Sequence, residues 1–96
     1  MVSYKYSFEA RDDLKGIYKY TLINFGIKQA KDYMTKITDN LILIANNTLQ
    51  GRNADLLKHG LRKIESGSHV IFYLNKADYI FVVRVLHKSM DVQKHI

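Results

Sequence analysis

The sequence predicts an α+β domain of β-α-α-β-β-β order, an antiparallel αα-hairpin packed on one face of a small, mainly antiparallel four-stranded sheet. Three observations predict it. Residues 2–8 alternate with period two. Residues 10–44 carry two helical stripes broken at one glycine. Residues 61–87 return to strand-like runs separated by two short turns. The 96 residues contain no proline, low-complexity tract or internal repeat to mark a boundary, so 1–96 reads as one domain.

At the N-terminus Tyr4, Tyr6 and Phe8 fall on one side and Ser3, Lys5 and Ser7 on the other, the pattern of a half-buried strand. From Glu9 the period changes. Ala10, Leu14, Ile17, Tyr18, Thr21, Leu22 and Phe25 make one helical stripe, with Arg11, Asp12, Lys15 and Lys19 opposite. Gly26 stops that helix, because glycine takes a left-handed C-terminal conformation without penalty. Ile27, Ala30, Met34, Ile37, Leu41 and Ile44 form a second stripe that ends near Asn46-Asn47. A link this short folds the two helices back on each other. Residues 48–60 read as a polar, irregular loop pinned by Leu56 and Leu57.

Three strands follow, at about 61–66, 68–75 and 79–87, parted by Gly67 and by the turn Asn75-Lys76-Ala77-Asp78. The last two are apolar on both faces: Val70, Phe72 and Leu74 against Ile71 and Tyr73, then Phe81, Val83 and Val85 against Ile80, Val82 and Leu86. Such strands belong at the centre of a sheet covered on both sides. The helices supply one cover; a partner, a second copy or the C-terminal tail must supply the other.

The absence of cysteine excludes disulfides, thiolate zinc sites and thiol nucleophiles. The N-terminus has no apolar leader segment, and no run approaches the roughly 18 apolar residues of a membrane span, so a soluble cytoplasmic protein is expected. The formal charge of +6 fits either an acidic partner or a solvated basic surface. The cations are spread along the chain rather than blocked, which weakens the case for a nucleic-acid arm.

Polar residues concentrate in Gly67-Ser68-His69 and in Val83-Arg84-Val85-Leu86-His87-Lys88-Ser89-Met90-Asp91. Cleavage of a phosphodiester requires a proton acceptor, a donor and cations, for which His69, His87, Arg62, Lys63, Arg84 and Lys88 are the available groups. Each also has a structural use. His69 opens a strand and His87 ends one. Arg84 lies among apolar residues, so its charge is either paired internally, with Asp91 or Glu65, or directed at a partner. Asp91 suits the cap of a final turn. Arg62 and Lys63 point to opposite faces of a strand. There is no Cys, no His pair four residues apart on a helix and no glycine-rich nucleotide motif, so no metal or cofactor is expected.

The chain resembles the ParE toxins of bacterial type II toxin–antitoxin systems, within the RelE/ParE superfamily. The resemblance is carried by Ala10, Asp13-Leu14, Ile17 and Tyr20, by Phe25-Gly26 with Gln29-Ala30 and Tyr33, and by Gly51-Arg52 and Leu61-Arg62. It is most specific in Gly67-Ser68-His69-Val70-Ile71-Phe72-Tyr73 and Val83-Arg84-Val85-Leu86-His87 with Met90-Asp91. Phe25 stands where such toxins often have Trp, and no proline precedes Gly51-Arg52. The resemblance implies a toxin that inhibits DNA gyrase and is neutralised by a ParD-like antitoxin whose acidic, initially disordered tail wraps it in a hetero-oligomer. It also implies no sequence-specific nucleic-acid binding and no membrane. Arg62, Arg84, His87, Lys88 and Asp91 are then the candidate edge for target or partner, and His69 and Tyr73 the structural or antitoxin-facing positions. Two alternatives stand: a RelE-like ribosome-dependent mRNA endonuclease, and a non-toxic relative that only binds antitoxin. The tail Gln93-Lys94-His95-Ile96, without tyrosine and with one lysine, counts against the nuclease.

Overall fold

A computed structural model describes residues 3–47 and 51–96. Its elements are β1 (Ser3–Tyr6), α1 (Phe8–Phe25), α2 (Ile27–Asn46), β2 (Arg52–Asn53), β3 (Leu61–Ser66), β4 (His69–Asn75) and β5 (Tyr79–His87), closed by a 3₁₀ turn at Val92–Lys94. The sheet has five strands in the order β1-β5-β4-β3-β2, with β1 parallel to β5 and every other pair antiparallel. The fifth strand is β2, inside the stretch expected to be irregular. It pairs Arg52 with Lys63 and Asn53 with Arg62. The expected strand residue Val2, and the start of the expected loop at 48–50, lie outside the described residues.

Phe8 does not continue the first strand. Ser7 caps α1 instead: its Oγ accepts from the Ala10 N–H at 2.9 Å and donates to the Val83 carbonyl at 2.6 Å. One side chain thereby starts the helix and fixes it to β5, and Phe8 becomes an exposed first-turn residue. Gly26 ends α1 with φ 93° and ψ 172°, a positive-φ conformation outside the expected left-handed helical region and one that glycine adopts readily. Its N–H donates to Leu22 and its carbonyl accepts from Ala30, so one residue closes α1 and opens α2.

The helix face of the sheet buries Ile71, Tyr73, Ile80, Val82 and Val85 against Ala10, Ile17, Ile37, Leu41 and Ile44. The opposite face buries Leu61, Phe72 and Leu86 beneath Ala54, Leu57, Val92 and Ile96. The C-terminal tail is therefore the second cover, helped by the 54–57 loop. Leu57 pins that loop, whereas Leu56 is fully exposed. A β-bulge shifts the β4–β5 register, since Phe72 pairs with Arg84 but Tyr73 with Val82, leaving Val83 extra. Beyond the bulge the faces exchange parity. Ile80, Val82 and Val85 share the helix side, while Val83 and Leu86 turn to the tail, so Arg84 does not share a face with Ile80 and Val82 as strict alternation predicts.

Past Val82, β1 no longer covers β5, and α1 supplies Asp13 in its place. Its carboxylate accepts from Arg84 Nε and Nη2, each at 2.8 Å, and from the Val85 backbone N–H at 2.9 Å. Arg84 Nη1 donates to the His95 carbonyl at 3.0 Å. Both side chains are largely buried, at 17% and 13% exposed. The partner of Arg84 is thus Asp13, neither Asp91 nor Glu65, and the hydrogen bonds from Asp13 hold the guanidinium's pKa above its ordinary value. Removing one member of such a pair leaves a desolvated charge, whereas removing both does not. Asp13→Asn should lower unfolding stability by about 3 kcal/mol in urea titrations, and a combined Asp13→Asn/Arg84→Met variant, which removes the stranded charge while keeping an acceptor for the Val85 N–H, should recover part of that loss. A single substitution costing well under 1 kcal/mol would show that the pair does not anchor α1.

Candidate partner-binding site

His69 opens β4 and His87 ends β5. The sheet register sets them directly opposite each other, with their rings edge to face at 5.3 Å. Tyr33 of α2 reaches them from the helix layer. Its hydroxyl lies 2.6 Å from His69 Nδ1 and 3.2 Å from the Ser66 carbonyl, two acceptors for its one hydrogen, and accepts from the Ser68 N–H at 2.9 Å. The same ring packs on the β3–β4 turn, where Gly67 has φ +60° and an added Cβ would come 2.7 Å from the tyrosine. Glycine is required there twice over, by backbone conformation and by space. On the other strand, His87 Nδ1 accepts from the Ser89 N–H at 3.1 Å and lies 2.7 Å from Ser89 Oγ. Burial, reinforced by the neighbouring His87, holds the His69 pKa below its ordinary value, with Asp13 acting in the opposite direction.

This pair sits in a groove between α1 and the free end of β5. One hollow of about 410 Å³ is lined by Asp12, Gly16, Tyr20, His69, His87 and Met90. A second, of about 280 Å³, shares Tyr20 and both histidines and continues to Phe25, Gln29 and Tyr33. Gly16 lies inside a helix, where glycine costs about 1 kcal/mol relative to alanine. A Cβ there would meet no atom within 4 Å, so the groove wall stays low at that point. Next to the groove, the helix junction exposes Tyr20 (64%), Ile23 (70%), Phe25 and Ile27. Tyr20 and Phe25 pack edge to face at 6.5 Å. An exposed apolar cluster of this kind beside a groove marks an interaction surface. A larger hollow of about 630 Å³ opens where Ser7, Phe8 and Lys58 meet the tail, but Arg84 on its wall is already tied to Asp13.

The residues expected to share one functional edge do not share it. Arg62 lies on β3, two strands from β5, and its guanidinium donates to the Gly51 carbonyl. Tyr73 is fully buried and accepts from the Gly51 N–H at 3.0 Å, so it faces the core and not an antitoxin. Arg84 is held by Asp13 and His95. Asp91 caps the 3₁₀ turn through the Gln93 N–H, as a capping role predicts. Lys88 stays exposed, 3.5 Å from Glu65, which also lies 3.7 Å from Arg52. Of the seven candidates, His69 and His87 alone line the groove.

Sequence reasoning missed Asp13 and Tyr33. Asp13 did carry a signal: between Ala10, Leu14 and Ile17 it is a carboxylate on the buried stripe, where a charge requires a partner. Among the described residues, no cluster of three or more His, Asp or Glu is placed to hold a metal ion, and no helix is long and apolar enough to cross a membrane.

Comparison with known proteins agrees with this architecture. Residues 4–92 match the family model described as ParE toxin of type II toxin-antitoxin system, parDE. The toxin ParE1 of Caulobacter vibrioides is 34% identical over 96 residues, covering 100% of this chain and 99% of that one. Among solved structures, a chain of the chromosomal ParDE TA system from P. aeruginosa superposes with a TM-score of 0.76 at 20% identity, covering 91% of this chain and 96% of that one. The YoeB-YefM toxin–antitoxin heterotetramer of Staphylococcus aureus contains a chain of the same fold, at TM-score 0.59 and 19% identity, covering 91% of this chain and 97% of that one. With a family model spanning nearly the whole sequence and a relative 34% identical over its full extent, the chain belongs to the ParE toxins of type II toxin–antitoxin systems.

Proposed function

We propose that this toxin acts in the cytoplasm by binding DNA gyrase and blocking religation of cleaved DNA, with no covalent chemistry of its own, and that a ParD-like antitoxin neutralises it in a hetero-oligomeric complex. The observation that supports a binding toxin over a nuclease is the commitment of two of its candidate cations, Arg62 and Arg84. Arg84 is locked to Asp13 and His95, and Arg62 is bonded to Gly51. A nuclease needs such groups free to meet a developing phosphorane charge. The two histidines meet each other beside a mainly apolar groove that no Lys or Arg lines.

The antitoxin, in this reading, does not lie across an open sheet face, because the chain's own tail covers that face through Val92 and Ile96. It lies in the groove and over the helix junction, with apolar side chains set against Tyr20, Ile23, Phe25 and Ile27.

Purified toxin free of antitoxin should abolish gyrase supercoiling and accumulate cleaved DNA, while translation of an intact message in a cell-free reaction proceeds. Cut mRNA with normal supercoiling would replace this function with the RelE-like nuclease. Inertness in both assays would leave the non-toxic relative. Because Ile23 is exposed, Ile23→Asp should fold normally yet weaken antitoxin affinity by about tenfold or more in a direct titration. Unchanged affinity would move the antitoxin off the helix junction.

A further inference from the structure

We propose, on the footing of the antitoxin binding described above, that His69 and His87 form a carboxylate subsite in the groove, entered by an acidic side chain of the antitoxin with uptake of a proton at His69. Both imidazoles spend their Nδ1 atoms inside the protein, on Tyr33 and on Ser89. Both rings line both hollows, and among the described residues neither Nε2 atom has a hydrogen-bond partner. Since the Ser89 N–H donates to Nδ1 of neutral His87, that ring carries its proton on Nε2, as a donor.

The surroundings of His69 accommodate a second proton without losing a hydrogen bond. The Tyr33 hydroxyl has one hydrogen and two acceptors within reach, His69 Nδ1 and the Ser66 carbonyl. When His69 is neutral with Nδ1 unprotonated, tyrosine donates to it. When Nδ1 gains a proton, the ring donates to tyrosine, and tyrosine donates to Ser66. What opposes the charge in the free toxin is burial and the adjacent imidazole. A carboxylate placed between the rings offsets both.

Two carboxylates of α1 line the same hollow, so an entering carboxylate is favoured only against the imidazoles themselves. From α1, Asp13 is neutralised by Arg84, and Asp12 lines the hollow bordered by Gly16. From α2 the nearest titratable group is Tyr33. Beside β5, Lys88 is drawn to Glu65. The walls favour a peptide over a nucleic acid. Tyr20, Phe25, Val85 and Met90 are apolar, and no Lys or Arg lines either hollow to track a phosphate backbone. The groove therefore fits an amphipathic segment that sets apolar anchors on the helix junction and a single carboxylate on the histidines, and the chain's net charge of +6 favours its approach.

The sign follows from the two states. Free toxin keeps His69 neutral below the usual histidine range, and bound toxin holds the proton, so affinity rises as pH falls. Each proton fully taken up contributes about tenfold per pH unit. Purified cognate antitoxin titrated calorimetrically into toxin should bind at least several-fold more tightly at about pH 6 than at about pH 8. At neutral pH the heats should differ between phosphate and Tris buffers in the direction of proton uptake. His69→Gln/His87→Gln, checked for folding by circular dichroism, should flatten the pH slope. His87→Gln alone, at an exposed position, should reduce it if the double variant folds poorly. Binding that is flat with pH, binding that releases protons, or a slope kept by the folded double variant overturns the subsite and leaves the antitoxin interface standing. No binding at any pH removes both.

Discussion

The structure hangs on a mismatch of length. β5 has nine residues and β1 four, so the outer edge of β5 runs on without a strand beside it. Backbone groups left there would be desolvated beneath α1 without partners. Ser7 and Asp13 take up the difference: Ser7 at the Val83 carbonyl, Asp13 at the Val85 N–H. Arg84 then follows from Asp13, because a carboxylate buried at a sheet edge needs a counter-ion. Through the third guanidinium nitrogen, the same arginine holds the tail at His95. One α1 side chain therefore closes the sheet edge, sets the position of the helix and helps keep the tail over the opposite face.

The bulge at Val83 makes that arrangement compatible with a sandwich core. Without an extra residue, the alternation that buries Ile80 and Val82 under the helices would turn Val85 toward the tail and Leu86 toward the helices. With it, Val85 joins the helix side and Leu86 packs with Phe72 and Val92. The bulge also fixes which residues meet at the end of β5. It brings His87 opposite His69, and so sets the pair within reach of Tyr33. The groove and its histidines are thus products of a register shift and not of local sequence.

This explains what could be read in the chain and what could not. The helices, the last three strands and the turn at Gly67 rest on local periodicity and turn chemistry, and they lie within a residue or so of where the sequence puts them. β2 escaped because two residues carry no period, and only their pairing with β3 makes them a strand. Phe8 was misplaced because the apolar alternation of a strand runs on into the first turn of a helix, where only the Ser7 cap distinguishes the two. Arg84 read equally well as a partner-facing cation or an internal one. The answer lay 71 residues away on another element, a separation no local pattern spans. Among the site residues, the type and order of His69 and His87 were visible. Their mutual contact was not, because it depends on the bulge.

The distribution of polar and apolar groups makes the chain a protein built to be covered. Its largest charges near the core, Arg84 and Asp13, are used up in holding the fold, and its sheet is closed on one face by helices and on the other by the tail. Four large apolar side chains, Tyr20, Ile23, Phe25 and Ile27, are exposed together where the helices meet. Among the described residues the core facing the helices is already filled by Ile17, Ile37, Leu41 and Ile44. Leaving four large apolar side chains in water forgoes a stabilisation of about 1.5–3 kcal/mol for each one a neighbour could bury. A partner that covers them regains that energy at once, before any polar contact is counted. Placing the two histidines at the edge of this surface then lets a weaker, charge-dependent contact decide which partner stays and under what conditions.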